Sequence, residues 1–256
     1  MNELCYLSEI YSAVQGEGPL VGIRQIFLRF ASCDLRCVWC DTPDSLIRTE
    51  KCLVEVDNGQ RLFEEVGNPI SVEDLLQYIQ NLEPKLHHSI SITGGEPLLQ
   101  SNFLSDFLPR LKTKFNIPIY LESGGHRFKE LNEIINYVDF VSMDIKLPSS
   151  AKTEGLWEKH KRFLEISLSL NKHNKTWIKL VVASDTLMDE VIRAIEIVKT
   201  AGGIEHKTEI FIQPVSEING IVPPNEKQLL FLQKESLKLY PFIRIVPQVH
   251  ALIGQK

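Results

Sequence analysis

The sequence has no long apolar run and no excess of positive charge, and these two absences exclude whole classes of protein. No stretch approaches the roughly 20 consecutive apolar residues that a membrane-spanning helix needs. Residues 1–18 lack the basic segment and apolar core of a secretory leader, so we expect a cytoplasmic protein. With a net charge of −5 and a pI of about 5.8, direct binding to nucleic acid or to a membrane is not expected.

Cysteine is scarce, and its distribution is uneven. Three of the five cysteines, Cys33, Cys37 and Cys40, fall in the stretch CDLRCVWCDT. A disulfide uses two cysteines and a closed zinc site uses four ligands, so neither accounts directly for three. In a reducing cytosol, clustered cysteines are more often metal ligands or catalytic groups than disulfides. Cys5 and Cys52 stand apart and are interpreted as ordinary thiols.

The chain alternates between short apolar runs and amphipathic helical patterns. Ser71 followed by Asp74 indicates a helix N-terminus, and Pro109 predicts a kink or two short helices within residues 102–115. The runs predict strands at 24–32, 89–93, 117–123, 139–146, 176–184, 208–216 and 242–250. The helical patterns lie at 71–82, 128–138, 189–203 and 225–240.

Strand–helix alternation predicts an α/β fold with a parallel sheet. We expect one domain over residues 1–256, built as a partial, open β/α barrel, with a doubly wound sheet as the alternative. In both folds, sites gather at the carboxyl ends of the strands. Polar or glycine-rich stretches follow five predicted strands: the cysteine loop, TGGEP, ESGG, DIK and QPVS. The sequence therefore predicts one face that carries the chemistry.

Three uses of the cysteine cluster are open at this point. A zinc site would need a fourth ligand such as His or Asp, and the second C-x2-C of a zinc ribbon is missing. A thioredoxin-like use of Cys37 and Cys40 leaves Cys33 unexplained. An iron–sulfur cluster normally takes four thiolates. Three would leave one iron open to a small molecule, which is a catalytic arrangement.

The spacing C-x3-C-x2-C, with Trp39 before the last cysteine, resembles the signature of radical S-adenosylmethionine (SAM) enzymes. The GGEP stretch at 94–97 is similar to the motif with which that family holds the amino group of SAM. The resemblance implies a full or partial α/β barrel. It also implies a [4Fe–4S] cluster on Cys33, Cys37 and Cys40, whose fourth iron is chelated by SAM.

Other motifs resemble the 7-carboxy-7-deazaguanine synthase family. They are VQGEGPLVGIRQIFLRFASCDLRCVWCDT (14–42), ITGGEPLLQ, LESGG, QPVS and PQVHALIG. The resemblance implies a carbon–nitrogen lyase that converts 6-carboxy-5,6,7,8-tetrahydropterin into 7-carboxy-7-deazaguanine with loss of ammonia, in the queuosine pathway for tRNA modification. It further implies Mg²⁺ as a cofactor, a flavodoxin as the reductant and a homodimer.

The same resemblance implies roles for individual residues. Thr42 would bind Mg²⁺, with a helix cap as its alternative. Arg29 would fork onto the substrate carboxylate, with a structural salt bridge as its alternative. The other substrate-binding residues would be Val14, Gln15, Gly16, Glu17 and Thr93. The SAM-binding residues would be Trp39, Asp41, Gly95, Glu96, Ser142, Asp144, Lys146, Gln213, Pro214 and Ser216.

The stretch SMDIKLP departs from this family, many of whose members have an S-P-K-type sequence there. Asp-x-Lys also resembles glycyl-radical-activating enzymes, which are the alternative function. An iron–sulfur electron carrier and a zinc-dependent binding module are further alternatives. Residues 51–69 and 150–175 have no clear role and are interpreted as surface loops, or one as the docking site of the electron donor.

Overall fold

Most strands belong to one ten-stranded sheet. The computed structural model describes residues 4–169 and 175–255. Within these ranges the strands are β1 (Leu4–Cys5), β2 (Leu7–Val14), β3 (Arg24–Phe30), β4 (Lys51–Asp57), β5 (Leu62–Gly67), β6 (Ile70–Ser71), β7 (Ser89–Gly94), β8 (Ile119–Ser123), β9 (Phe140–Asp144), β10 (Lys175–Val182), β11 (Ile210–Pro214) and β12 (Ile243–Ile245). β1 and β6 form a separate two-stranded sheet.

The seven predicted strands all form, and all are parallel. They lie in the order β3-β7-β8-β9-β10-β11-β12, so each strand neighbours the next one along the chain. A doubly wound sheet would reverse this order partway. Because β5 and β12 stand at the two edges of the described sheet, the barrel is open, and the predicted fold class is confirmed.

Three strands that the sequence did not predict extend the sheet beyond β3. β2 is antiparallel to β3, β4 is parallel to β2, and β5 is antiparallel to β4. The β4–β5 hairpin replaces the surface loop considered for residues 51–69. Its strands, KCLVEVD and LFEEVG, mix charged with apolar residues and are partly exposed, so they lack the continuous apolar run of a buried parallel strand.

Helices connect the parallel strands. Ser71 caps α1 as predicted, because its Oγ accepts from the N–H of Asp74 at 3.1 Å. In the described residues the α-helices are α1 (Val72–Asn81), α2 (Ser101–Phe115), α3 (Phe128–Ile134), α4 (Pro148–Ala151), α5 (Trp157–Ser169), α6 (Met188–Thr200), α7 (Glu226–Leu237) and α8 (Val249–Leu252). Short 3₁₀ helices lie at Gly18–Leu20, Pro43–Ser45, Pro84–Leu86, Pro97–Gln100 and Ile135–Tyr137.

The predicted division into two short helices at Pro109 is wrong, since α2 is one continuous helix; the alternative, a kink within the helix, stays a prediction. An interior proline removes one hydrogen bond and costs about 3 kcal/mol. Phe103, Leu104, Phe107 and Leu108 are buried before the proline, and the buried Leu111 follows it. Packing on both sides of Pro109 therefore offsets the lost bond.

Two further segments differ from the prediction. The strand predicted over 242–250 is only β12, because Pro247 lacks the N–H that would continue the ladder, and α8 begins two residues later. Residues 150–175 are not a surface loop where they are described, since most of them form α5; residues 170–174 lie outside the described ranges. Among the described helices, none has the length and apolar character required to cross a bilayer.

We expect Leu104→Ala to destabilise the fold, because Leu104 is fully buried on the sheet-facing side of α2. Such truncations cost about 2–5 kcal/mol. Thermal unfolding of the protein should show a lower Tm, whereas Asn102→Ala, at an exposed position of the same helix, should leave the Tm nearly unchanged. Equal Tm values for the two variants would contradict this packing.

Candidate active site

A cavity of about 640 Å³ opens at the carboxyl ends of the parallel strands. It is lined by the cysteine loop after β3 and by residues at the ends of β7, β8, β9 and β10. Every predicted site residue lines this cavity except Gln213 and Pro214. The sequence-based expectation of one chemical face is met.

The cysteine loop places its three thiols on one wall of the cavity. The N–H of Cys40 donates to the carbonyl of Cys37 at 3.1 Å, which forms a tight turn between these two residues. Burial raises the pKa of Cys33 to about 11 and also raises the pKa of Cys37. Without iron these groups are therefore thiols, and cluster binding would release their protons. Cys5 and Cys52 lie apart in the core, fully buried.

The donor set fits an iron–sulfur cluster better than a single ion. In the residues that the structure describes, no three His, Cys, Asp or Glu side chains converge as ligands of one metal ion. A zinc site requires such convergence on one atom, whereas a cluster takes each thiolate on a different iron. Three thiols on one cavity wall meet the second requirement.

The glycines of GGEP are required by close backbone packing. A Cβ on Gly95 would lie 2.3 Å from the carbonyl oxygen of Ser32 and 2.6 Å from that of Ser45. The N–H of Gly95 donates to the carbonyl of Phe30, and the N–H of Glu96 donates to the carbonyl of Ser32, both at 2.9 Å. The end of β7 thus docks directly onto the base of the cysteine loop.

The carboxylate of Glu96 is held by the protein itself. It accepts from the N–H of Leu98 at 3.2 Å, from the N–H of Gly124 at 2.9 Å and from the hydroxyl of Ser123. Burial raises its pKa. Glu96 therefore fastens the GGEP turn to the end of β8, while it still lines the cavity.

Asp34, within the cysteine loop, is clasped by two residues that follow β8. The Nε2 of His126 lies 2.9 Å from its carboxylate, and Arg127 donates to it at 2.7 Å. Burial opposes ionisation of Asp34, but the hydrogen bond from His126 and the charge of Arg127 hold its pKa below the ordinary value. These contacts attach the cysteine loop to the segment that follows β8, the third predicted strand.

The predicted SAM half of the cavity contains unsatisfied buried polar atoms. Lys146 donates to Asp144 Oδ2 at 2.7 Å, and its Nζ lies 4.4 Å from the ring centroid of Trp39. Asp144 Oδ1 and Trp39 Nε1 are buried and have no hydrogen-bond partner among the described residues. Such atoms are rare unless a ligand or water satisfies them. They fit a polar cofactor such as SAM at this wall.

A histidine that the sequence did not single out supports this wall from α5. The Nε2 of His160 accepts from the N–H of Lys146 at 3.2 Å, and its Nδ1 faces the carbonyl of Gly125 at 2.9 Å. Burial lowers the pKa of His160 to about 4, so the ring is neutral at neutral pH. It fixes the SMDIKLP stretch at the end of β9.

The QGEG segment crosses the barrel interior. β2 ends beside the start of β3, where Val14 pairs with Arg24. From there Gln15 donates to Glu122 on β8 at 2.8 Å, and Glu17 accepts from Lys179 on β10 at 2.6 Å. The segment therefore forms an inner wall, rather than a turn on the surface.

The structure gives the positions of Arg29 and Thr42, for each of which the sequence left two roles open. Arg29 pairs with Glu9 at 2.9 Å and donates to the hydroxyl of Tyr11, so the structural salt bridge forms while Arg29 lines the cavity. Thr42 stands at the start of the helix Pro43–Ser45 but makes no side-chain cap. Its Oγ1 lies 3.8 Å from the sulfur of Cys40.

The residues at the end of β11 and just after it lie at the margin of the site. Gln213 is in a small adjoining cavity of about 60 Å³, where it donates to Glu17 at 2.7 Å. Pro214 lines neither cavity. Ser216 donates to Gln248, which in turn donates to Asp41 at 3.0 Å. The predicted role of Pro214 thus has no support in the geometry of the described cavities.

Sequence reasoning missed Glu122, Lys179 and His250, which all line the cavity. Glu122 accepts from Gln15 and, at 2.9 Å, from Thr93. Glu122 and Lys179 are each a lone charged residue within an apolar run, and that pattern could have singled them out in the sequence. Nothing local marks His250: its role follows from α8, whose Val249 N–H donates to the carbonyl of Gly16 at 2.9 Å.

Comparisons with known proteins agree with this geometry. The model of the radical SAM superfamily matches residues 28–218. The chain therefore belongs to the radical SAM superfamily, whose members hold a [4Fe–4S] cluster and SAM, and it is an enzyme.

Curated relatives narrow the class. The chain is 38% identical to 7-carboxy-7-deazaguanine synthase of Geobacter sulfurreducens, over 97% of each chain. It is 31% identical to the enzyme of that name from Archaeoglobus fulgidus, again over 97% of each chain. The crystal structure of QueE from Escherichia coli matches in fold, with a TM-score of 0.61, 18% identity and coverage of 96% and 95%. Within the superfamily, the chain belongs to the 7-carboxy-7-deazaguanine synthase family.

We expect Gly95→Ala to loosen the cysteine loop, because the added Cβ meets two backbone carbonyls at well under 3 Å. Iron bound per chain after anaerobic reconstitution should fall, and the Tm should fall with it. Gly67→Ala is the matched control, since nothing lies within 4 Å of a Cβ built there. Full iron loading of Gly95→Ala would contradict the close docking of β7 onto the loop.

Proposed function

We propose that this chain is a single-domain lyase that converts 6-carboxy-5,6,7,8-tetrahydropterin into 7-carboxy-7-deazaguanine and ammonia, a step of queuosine biosynthesis and hence of tRNA modification. Loss of one ammonia accounts for the whole difference in composition between substrate and product. The overall reaction therefore needs no external oxidant, and SAM acts as a cofactor that is regenerated.

One observation carries the proposal. The three clustered cysteines and the QGEG segment face a single cavity of about 640 Å³, a size suited to a small-molecule ligand. A cluster and SAM at one wall would thus lie within reach of a pterin at the other. When bound, the cluster and SAM supply the one-electron chemistry that the rearrangement requires.

The residues of this chain would bind and orient the substrate. A pterin ring presents N–H donors at one edge, which suits the carboxylates of Glu17 and Glu122 in the cavity wall. Burial and the charge of Glu17 raise the pKa of Glu122, whereas Glu17 itself stays ionised beside Lys179. Gln15 and Thr93 hold Glu122 in place.

Arg29, Val14 and Gly16 complete the substrate half of the proposed site. Arg29 is almost fully buried in the cavity wall, where a guanidinium attracts a carboxylate strongly. Gly16 admits no side chain, because a Cβ there would lie 2.2 Å from Nδ1 of His250. The contact packs the QGEG segment against α8, which helps to keep water from the reaction.

We propose that Thr42 supplies a Mg²⁺ ligand. Mg²⁺ prefers oxygen, keeps several waters and usually takes one or two protein ligands together with the substrate. Thr42 offers its hydroxyl beside the cluster loop, with Asp41 and Asp44 on the same wall. The magnesium would hold the substrate carboxylate against this wall.

The alternative, a glycyl-radical-activating enzyme, would have to admit a segment of a partner protein. QGEG and α8 line the cavity beside the cysteines, which that segment would have to enter. The relatives at 38% and 31% identity also carry the synthase name. We further propose a homodimer, a flavodoxin as electron donor and a cytoplasmic location, on the basis of the family resemblance alone.

The function is tested with the anaerobically reconstituted protein, SAM, Mg²⁺, a reductant and the pterin. We expect 7-carboxy-7-deazaguanine to be detected by mass spectrometry. Cys37→Ala should abolish the product, because one iron loses its thiolate. Cys52→Ala, which removes a buried cysteine far from the loop, should retain product formation. Cleavage of SAM without deazaguanine would overturn the substrate and favour the alternative function.

For Thr42→Ala we expect the Mg²⁺-stimulated rate to fall by roughly 10–100-fold, because the metal loses a protein ligand. The absorbance of the cluster should stay the same. Thr113→Ala, on the exposed face of α2, is the control. The rate is measured with and without added Mg²⁺; stimulation that persists undiminished in Thr42→Ala would remove Thr42 from the metal site.

A further inference from the structure

The carboxylate of Glu17 is held by three side-chain donors. It accepts from Lys179 at 2.6 Å, from Gln213 at 2.7 Å and from Gln248 at 3.2 Å. These donors come from β10, from β11 and from the segment before α8. Three donors on three elements fix both the position and the rotamer of this side chain.

Lys179 also reaches the opposite half of the site. The register of β9 and β10 places it beside Asp144, and its Nζ lies 3.5 Å from Asp144 Oδ2. That same oxygen accepts from Lys146 at 2.7 Å. One ammonium group thus stands between the acid of the SAM half and the acid of the substrate half.

The charges around Lys179 indicate its role. Glu17 and Asp144 are buried acids, and the partly buried Glu122 adds a third carboxylate to the barrel interior. Lys146 donates to Asp144 and lies over the ring of Trp39. Within the described ranges, Lys179 is the ion-pair partner of Glu17, and its side chain is only 15% exposed.

We propose that Lys179 is a positioning residue that holds Glu17 as an ionised, fixed acceptor for the N–H edge of the pterin, without itself contacting the substrate. This inference rests on the proposed function. A neutral side chain at position 179 would leave Glu17 facing Glu122 without its counter-charge. Repulsion between the two acids would then favour protonation of one of them, and a protonated Glu17 accepts hydrogen bonds poorly.

The pH behaviour follows from the same contacts. Burial would raise the pKa of Glu17, but the charge and hydrogen bond of Lys179 lower it to about 2. Glu17 is therefore ionised across pH 6–8, and pterin binding should not depend on its titration. With Lys179 removed, its pKa rises, so affinity should fall as pH is lowered.

The other groups around Glu17 are the same in the wild type and in a variant that lacks Lys179. They are Glu122 from β8, Asp144 from β9, Gln213 from β11, Gln248, and His250 from α8, whose charge also lowers the pKa of Glu17. His250 is present in the wild type and in every variant. The comparison of variant with wild type at each pH separates its contribution from that of position 179.

The test uses reconstituted protein with SAM and Mg²⁺, and 6-carboxypterin, the aromatic analogue, as a fluorescent probe. Kd is measured at pH 8 and pH 6 for wild type, Lys179→Met and Lys175→Met. Lys175 lies on the same strand and is exposed. We expect Lys179→Met to raise Kd roughly tenfold at pH 8, as for a lost charged hydrogen bond, and further at pH 6. Lys175→Met should match wild type.

A double-mutant cycle shows whether Lys179 acts through Glu17. Glu17→Gln with Lys179→Met should bind the probe no more weakly than Glu17→Gln alone, and its Kd should lose the extra pH dependence. Should the Tm of Lys179→Met collapse, Lys179→Gln keeps a donor without the charge and serves in the same comparison. Lys179→Arg should restore binding that is independent of Glu17 titration.

The outcomes distinguish a failure of the positioning role of Lys179 from a failure of the proposed function. A folded Lys179→Met with wild-type Kd at both pH values overturns the positioning role, as does a larger loss of SAM affinity than of pterin affinity. If wild type forms no deazaguanine and does not bind the probe, the proposed function falls and the role of Lys179 falls with it. Wild-type turnover together with an unaltered variant rejects the positioning role alone.

Discussion

The direct backbone contact between Gly95 and Ser32 is the constraint on which the site depends. The loop that carries the cysteines forms no strand or helix between β3 and the helix Pro43–Ser45. It is positioned because the end of β7 approaches it with no side chain between them, at distances where any Cβ would collide with two carbonyls. From this contact Glu96 extends the attachment to β8, and His126 with Arg127 returns from β8 to the loop at Asp34.

Three charged side chains lie next to one another inside the barrel. Asp144, Lys179 and Glu17 alternate in sign from the SAM half to the substrate half. Buried acids of this kind are costly unless paired. The parallel register meets that cost by placing the acid of β9 beside the lysine of β10, while QGEG brings the second acid from outside the barrel. Substrate and cofactor would therefore bind to two ends of one electrostatic network.

Much of this could be read from the sequence, and the limits have physical causes. Seven parallel strands were predicted because burial on both faces demands continuous apolar runs, whereas β2, β4 and β5 carry mixed patterns. The cysteines and GGEP were found because their chemistry is local in the chain. Lys179 and Glu17 are separated by 162 positions. A single charge inside an apolar strand signals that a buried partner exists, but only the fold identifies the partner.

The architecture also explains why the cavity suits a small molecule. In many α/β barrels the carboxyl end of the sheet is open, and loops decide what enters. Here the QGEG segment follows the antiparallel strand β2 and forms an inner wall of the cavity. The helix α8 packs on this segment through the contact between Gly16 and His250. A rearrangement that begins with one-electron chemistry needs such walls, because water and stray hydrogen donors would divert it. The strand β2, absent from a simple repeating barrel, thus leads into the segment that adds an inner wall to a common scaffold.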